Sequence, residues 1–495
     1  VAGRADPRGL KAAWCLALAW AVLPALGPLW RGELIGHPYT DLYPAVWGLD
    51  WFVGQQPGLP SWCHALAAPE GMAFAYSSPL HGWVAWPLRA VLDLTATWNL
   101  TILLARGATV LAAWWAGRAW GLGRTGALVA AAVYGASPYF HGFAVEGIVE
   151  GTDGWALPLY LGAVALRRPV LAVVGFAAAV ASSWYTAAVA CVLALFLGPW
   201  AWAAAGLGLV LASPLLAVFL GAFSGGAGVT AEVRSAMGAS LSLARPGSLP
   251  GLSPFAMTTW LGLLAPVLAL WGLRGHARAL RIAGVGVVCA GVSLGVGPLF
   301  ELPGWSSLRF PYRFHAGTLA CVALLAGCGA ERLRWGVWLA PLVVLEGLLL
   351  SPVEPLLPGA PAQVPALYQG LDGQVLLDIP GPVALPPGQL NPSRPRARWF
   401  LYAQTAHGLA TPWAPDFNSV GATGREVGLE PVRALDPLSR RPLPSALALP
   451  ETIDHVVVHR SELRGRADDV DRLLRHDGWQ LVAEDDARWR YGRAE

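Results

Sequence analysis

The residues of this chain that could carry chemistry are a few carboxylates and arginines set among aromatics. In GHPYTDLYPAVWGLDWF (36–52), Asp41 could take a proton from an attacking hydroxyl as a general base. The same Asp precedes a Pro-containing amphipathic run, where it could cap a helix. The two roles are compatible, because a capped carboxylate stays ionised. Tyr39 stands beside it as a candidate substrate contact, and Asp50 reads as a solvated or paired loop acid. The stretch SPYFHGFAVEGIVEGTDGWALPLY (137–160) gathers Glu146, Glu150 and Asp153 with His141. Glu146 and Glu150 would share one face of a helix, although the interleaved glycines argue against a stable one. These groups could assist a base, contact a substrate or join a divalent metal, but no ligand spacing is diagnostic. A polar connecting loop is the alternative. In LFELPGWSSLRFPYRFH (299–315), Arg309 and Arg313 could grip a phosphate through paired N–H···O bonds, or could snorkel beside aromatics. Trp184 and Tyr185, after Ser182 and Ser183, suit a sugar or lipid face and equally any membrane interface. His407 in YAQTAHG reads as structural, and Glu346 has no assigned role. No Walker A loop, G-x-S-x-G or H-E-x-x-H motif occurs.

The elements that must position these groups are apolar. Of 495 residues, 55% are hydrophobic and 13% charged, and the net charge is +3. Mean hydropathy is +0.48. Between Pro169 and Ala231 there is no Asp, Glu, Lys or Arg. A soluble domain cannot hide such a run, whereas a bilayer takes it as spans of about 20 residues. Spans are expected near 12–30, 96–117, 124–137, 153–167, 169–182, 185–199, 202–222, 256–273, 279–298, 313–329 and 335–350, an all-α polytopic bundle of about eleven transmembrane helices. Pro79 to Leu94 reads as an interfacial or re-entrant helix. The first apolar stretch lacks a small-residue cleavage site, so it reads as a retained span.

Charge placement orients the bundle. With Arg4, Arg8 and Lys11 inside, the turns holding Arg118 and Arg124, Arg167 and Arg168, Arg274, Arg278 and Arg281, and Arg332 and Arg334 all fall on the cytoplasmic side. The turn at 198–202 carries no charge. The longer loops 31–95, 138–152, 223–255 and 299–312 then face outward with the candidate acids, and so does the C-terminus. All basic residues but Lys11 are Arg, and Ala and Gly abound, as in a GC-rich bacterial genome. Residues 351–366 read as a Pro-rich linker, followed by a small soluble α/β domain at 367–495. Its expected elements are strands at 373–380 and 453–459, a helix at 463–476 and a closing hairpin at 479–482 and 488–491. Cys15, Cys63, Cys191, Cys289, Cys321 and Cys328 show no disulfide or metal spacing.

Several motifs, taken in order, resemble the GT-C superfamily of membrane glycosyltransferases. They are Asp41 in the first outer loop with Trp47, Leu49 and Trp51 after it, prolines at 79 and 87, TWNL (97–100), SPY (137–139) and LRFPYRF (308–314). VLLDIP, AQTAHG and IDHVVVHRSEL resemble the extracytoplasmic domain of bacterial members. The resemblance implies a polyprenyl-phosphate-linked sugar donor at the outer leaflet and inverting transfer to an extracytoplasmic glycan, lipid or protein acceptor. It implies no nucleotide and no nucleic acid. Asp41 matches the family's first-loop acid, and Arg309 and Arg313 match the basic pair expected to hold the donor phosphate. Many members carry an acidic pair where this chain has Thr40-Asp41, so Asp41 would work alone or with Glu150 or Glu146. The expected place is the bacterial inner membrane, with a divalent metal as an optional partner. A lipid-carrier transporter or an envelope scaffold of the same fold is the alternative.

Overall fold

A computed structural model of the chain describes residues 7–223, 258–274, 279–294, 310–381, 394–413, 429–439 and 441–493. The chain divides into two compact units. The first comprises Val1–Ala45, Tyr76–Leu216 and Gly228–Ala362, and the second Val46–Ala75, Ala217–Ala227 and Gln363–Glu495.

The first unit is helical, and two of its helices continue into segments of the second. Helix α1 (Pro7–Val22) runs through a short turn into α2 (Leu26–Arg31), followed by α3 (Leu42–Gly54), α4 (Pro79–Arg89), α5 (Leu94–Ala119) and α6 (Arg124–Gly135). Next come α7 (Pro138–Glu146), α8 (Val149–Thr152), α9 (Ala156–Ala165), α10 (Pro169–Ser182), α11 (Trp184–Leu197), α12 (Pro199–Leu211) and α13 (Ser213–Phe223). The last four of the unit are α14 (Leu264–Gly272), α15 (Ala279–Ser293), α16 (His315–Ala330) and α17 (Leu339–Leu350). Four helical runs are long and apolar enough to cross a bilayer: Arg8–Arg31, Leu94–Ala119, Arg124–Glu146 and Pro311–Ala330. A fifth forms if α12 and the first part of α13, bent by 62°, count as one span. The other expected spans are helices whose length falls short. Fourteen residues, as in α10 and α11, reach about 21 Å against a hydrocarbon core of about 30 Å. Residues before 258, where the 256–273 span was expected to begin, lie outside the described set, as do the loops 223–255 and 299–312 for the most part.

Without a hydrophobic drive between helices in lipid, close packing needs small residues. Helix α16 packs against α14, α6 and α15. Where it meets α14, a Cβ on Gly329 would come within 2.0 Å of the Leu268 carbonyl oxygen, and one on Gly272 within 2.0 Å of that of Leu325. Only glycine permits that approach. Glu346 also finds its role here. Its carboxylate accepts from the backbone N–H groups of Leu263 at 2.5 Å and Leu264 at 3.2 Å, so it caps the N-terminus of α14 from α17.

The Pro-rich segment does not hang free. Leu357 N–H donates to the Pro24 carbonyl at 2.8 Å, and Gly36 N–H to that of Pro358 at 3.0 Å. Strand β1 (Leu34–Ile35) therefore pairs antiparallel with a later strand at Gly359–Ala360.

In the second unit β2 (Trp62–Cys63) pairs with β3 (Met72–Ala73), and the strand Gly359–Ala360 of the first unit becomes β4 in chain order. The main sheet has the order β5 (Leu376–Ile379), β6 (His455–His459), β8 (Arg488–Arg493), β7 (Trp479–Glu484). β5 and β6 are parallel, the other pairs antiparallel. Leu377, Ile379, Val456 and Val458 alternate inward onto Val470 and Leu474 of α20 (Ala467–His476), the last of this unit's helices after α18 (Arg394–His407) and α19 (Glu430–Leu435). Helix α20 starts later than expected, because Arg464 and Gly465 take φ of 46° and 89°. The opposite face carries a buried polar triangle in which Tyr368 Oη lies 2.5 Å from Asp378 Oδ1, and His459 Nε2 lies 2.9 Å from the same oxygen. The Trp47-x-Leu49-x-Trp51 pattern is core of this unit. Trp47 and Trp51, one helical turn apart, stack at 6.4 Å and pack on Phe74, Cys63 and Met72.

Candidate active site

Helix α5 fixes the first loop. Trp98 Nε1 donates to the Ile35 carbonyl at 2.9 Å. The Asn99 amide accepts from Ile35 N–H and donates to the Glu33 carbonyl, each at 2.8 Å. The TWNL motif thus supplies, from side chains, the pairing that a neighbouring strand would give β1. The loop then crosses the end of α7, where His37 N–H donates to the Val145 carbonyl at 2.7 Å and Thr40 Oγ1 to that of Glu146 at 2.8 Å.

Asp41 follows at the head of α3, and its carbonyl accepts the first helical bond, from Ala45 N–H at 3.0 Å. It therefore stands in the capping position that its local sequence suggests. Helix α7 stops at Gly147 (φ 67°), a left-handed C-terminal residue. A Cβ there would sit 2.6 Å from Leu42 Cα, so this glycine lets α3 start directly against the turn between α7 and α8. The segment 138–152 is thus two helices rather than an open loop. Gly147 also separates Glu146 and Glu150, so they do not share one helix face. Glu146 is 2% exposed.

Arg313 is the centre of the site. SPY at 137–139 holds it from behind: Ser137 caps α7, Pro138 begins it, and Tyr139 Oη donates to the Arg313 carbonyl at 3.0 Å. The guanidinium lies 4.8 Å from the ring centroids of both Tyr185 and Phe310 and 5.7 Å from that of Phe143. These rings favour the cation. In its plane, Nη2 donates to Glu150 Oε1 at 2.9 Å and Nε to Tyr312 Oη at 3.3 Å. Tyr185 Oη accepts from Phe310 N–H at 2.9 Å. Glu150, Tyr185 and Arg313 line one small cleft, with Tyr139, Phe143 and Ser183. Asp41 and Glu150 both lie within electrostatic range of buried Tyr312.

The remaining candidates lie elsewhere. Asp153 accepts from Ser78 Oγ at 2.9 Å and meets His81 Nδ1 at 3.5 Å, all three buried. Ser78 and His81 were not foreseen from sequence; their signal is a Ser-Pro helix start followed by a histidine in an apolar stretch. His141 is bonded within the bundle. Arg106 Nη1 lies 3.1 Å from Nδ1, and Nε2 lies 2.7 Å from the Glu354 carbonyl. An arginine only donates, so Nδ1 accepts and Nε2 carries the proton, leaving neither nitrogen for a ligand. Tyr39 is 67% exposed, its ring 5.0 Å from that of His37. Trp184 begins α11. Arg309 lies outside the described residues. Among the described residues no group of three or more His, Cys, Asp or Glu is arranged to hold a metal.

No family model matches the chain, and no curated protein matches it. Solved structures do. Arabinofuranosyltransferase AftD from mycobacteria aligns over 100% of this chain and 40% of its own, at 19% identity and a TM-score of 0.64. ArnT from Cupriavidus metallidurans, bound to undecaprenyl phosphate, aligns over 99% of both chains at 14% identity and a TM-score of 0.56. The Archaeoglobus fulgidus oligosaccharyltransferase, tethered to an acceptor peptide, aligns over 99% of this chain and 74% of its own, at 10% identity and a TM-score of 0.54. The chain thus spans about two fifths of the AftD chain. With its long apolar helices, this is a multi-pass membrane protein that shares the fold of AftD, ArnT and the oligosaccharyltransferase.

Proposed function

We propose that the chain is an inverting glycosyltransferase of the bacterial inner membrane, taking a sugar from a polyprenyl-phosphate carrier to a hydroxyl of an extracytoplasmic acceptor. In this reading the N-terminus is cytoplasmic, and the cleft and the C-terminal domain are extracytoplasmic. The observation that carries it is the aromatic-caged Arg313 bound to Glu150 in a cleft beside the loop of Asp41. Undecaprenyl phosphate on ArnT, a protein of matching length, supports a lipid phosphate as the group Arg313 meets. Arabinofuranosyl transfer by AftD supports a pentose or hexose as cargo.

The chemistry follows from charge. As the acceptor oxygen attacks the anomeric carbon, Asp41 takes its proton, and the bond from that carbon to the phosphate oxygen breaks. The electron pair stays on the phosphate, which gains one negative charge. Arg313, fixed by Tyr139 and shielded from water by aromatics, stabilises that charge without reorganising. Glu150 orients the arginine and faces the acceptor side. Tyr185 supplies the sugar-facing aromatic wall, with Tyr39 and Trp184 as outer contacts, and Asp153 braces the α8 turn. Arg309 would complete the phosphate grip.

Mass spectrometry of co-purifying lipid, followed by incubation with a polyprenyl-phosphate-linked sugar, tests this. A polyprenyl phosphate in the extract and its release from the donor together with acceptor glycosylation are expected. Bound lipid with no transfer would favour a transporter, and neither lipid nor transfer a scaffold; both overturn the enzyme reading.

A further inference from the structure

The bonding of Arg313 constrains how a phosphate can reach it, an inference that rests on the donor-phosphate reading above. The guanidinium is a flat fork whose strong contacts with a phosphate lie in its own plane. Aromatic rings crowd it, with Tyr185 and Phe310 at 4.8 Å and Phe143 at 5.7 Å, and an anion is held most strongly along the edge of the fork. On that edge Nε is engaged with Tyr312 Oη at 3.3 Å and Nη2 with Glu150 Oε1 at 2.9 Å. A two-pronged phosphate grip uses adjacent donors of the fork, and with Nε engaged those are Nη1 and Nη2. The carboxylate and the phosphate would then crowd two like charges onto one nitrogen, at a site where Arg313 is only 8% exposed and screening is weak.

We propose that Glu150 and the lipid phosphate are alternative ligands of Arg313 Nη2, so that donor binding displaces the Glu150 carboxylate. The exchange is a side-chain movement. The α8 turn that carries Glu150 is clamped on its far side by Asp153, through Ser78 Oγ at 2.9 Å, and by Tyr134 Oη donating to the Gly154 carbonyl at 3.0 Å. Glu150 is 20% exposed, enough to swing into the cleft it lines. Released from its cation, it becomes an acceptor for a substrate hydroxyl only after the donor has arrived. The donor therefore binds first.

The consequence has an unusual sign. Removing an acid that orients the phosphate-binding arginine strengthens binding of the lipid phosphate. The test measures undecaprenyl phosphate binding to the full-length protein in nanodiscs for wild type, Glu150→Gln, Asp41→Asn and Arg313→Gln. Glu150→Gln should bind up to about tenfold tighter, as one largely buried ion pair no longer competes. Asp41→Asn, which removes a nearby charge not bonded to Arg313, should change affinity much less, and Arg313→Gln should lose it. Equal or weaker binding by Glu150→Gln overturns the exchange, and an equal gain in both acid variants reduces it to general electrostatics and also overturns it. If wild type itself binds no lipid phosphate, the donor reading fails instead. A structure of the unaltered protein with undecaprenyl phosphate is the second measurement. It should show the phosphate on Nη2 with the carboxylate gone from it, and Glu150 retained there beside the phosphate would refute the proposal.

Discussion

Gly147 is where the geometry of the site is most exposed to a single methyl group. It sits at φ 67°, where an L residue costs about 1–2 kcal/mol. Its missing Cβ would also stand 2.6 Å from Leu42 Cα and 3.0 Å from Leu42 N. Carbon atoms in ordinary contact are about 3.5–4.0 Å apart, so Gly147→Ala must push the first residue of α3 away by about 1 Å. Asp41 is the preceding residue and moves with it. A displacement of that size at a catalytic group can cost about 100-fold in rate. Arg313 hangs from Tyr139 and Glu150, not from Leu42. Gly147→Ala should therefore lower kcat for sugar transfer by about 100-fold while lipid-phosphate affinity stays at the wild-type value. The assay pairs initial rates in proteoliposomes with binding in nanodiscs, and a melting curve separates displacement from unfolding. A folded variant with wild-type kcat would refute the claim that Gly147 sets the position of Asp41.

Other outcomes follow from particular contacts. Asn99→Leu strands the Ile35 N–H and the Glu33 carbonyl, and should cost about 2–4 kcal/mol in chemical denaturation while reducing transfer. Gly329→Ala forces a Cβ toward the Leu268 carbonyl, 2.0 Å away. It should destabilise the α14–α16 contact by about 1–3 kcal/mol, read as a lower Tm in detergent. In the second unit burial pushes the His407 imidazole down to about 4 from the usual 6.5. The unfolded chain protonates this group below pH 6.5 and the folded chain only near pH 4. Its stability contribution is thus complete above pH 6.5 and declines as pH falls to 4, by up to about 3 kcal/mol. His407→Gln should flatten that part of the stability–pH curve measured by denaturant titration.

Much of this was legible in the chain itself, because the signals were local. A bilayer-length apolar run, an alternating strand and a Ser-Pro helix start each depend on neighbours in sequence. The strands at 376–379 and 455–459 and the helices near every expected span follow from that. The pairing of Glu150 with Arg313 was not legible, since the two are 163 residues apart and either could have met a different partner. The partners of His141 were hidden for the same reason: Arg106, on another helix, meets one nitrogen and a distant carbonyl the other. The short motifs carry information that only contacts decode. TWNL reads as a family mark, and becomes a hydrogen-bonded splint for the first loop. Span number is hard to count because helices of 14 residues, divided at Ser183, are apolar enough to suggest a crossing without the length for one.

Transfer by Asp41→Asn is the most direct test. Purified wild type and variant are reconstituted side by side, given a polyprenyl-phosphate-linked sugar and an acceptor, and assayed for release of polyprenyl phosphate and glycosylated product. Wild type should yield both in equal amounts, and Asp41→Asn should bind the lipid phosphate normally yet transfer at least about 100-fold more slowly, within the usual range for loss of a general base. An Asp41→Asn protein that transfers sugar at the wild-type rate would contradict the role of Asp41 and, with it, the mechanism built on this cleft.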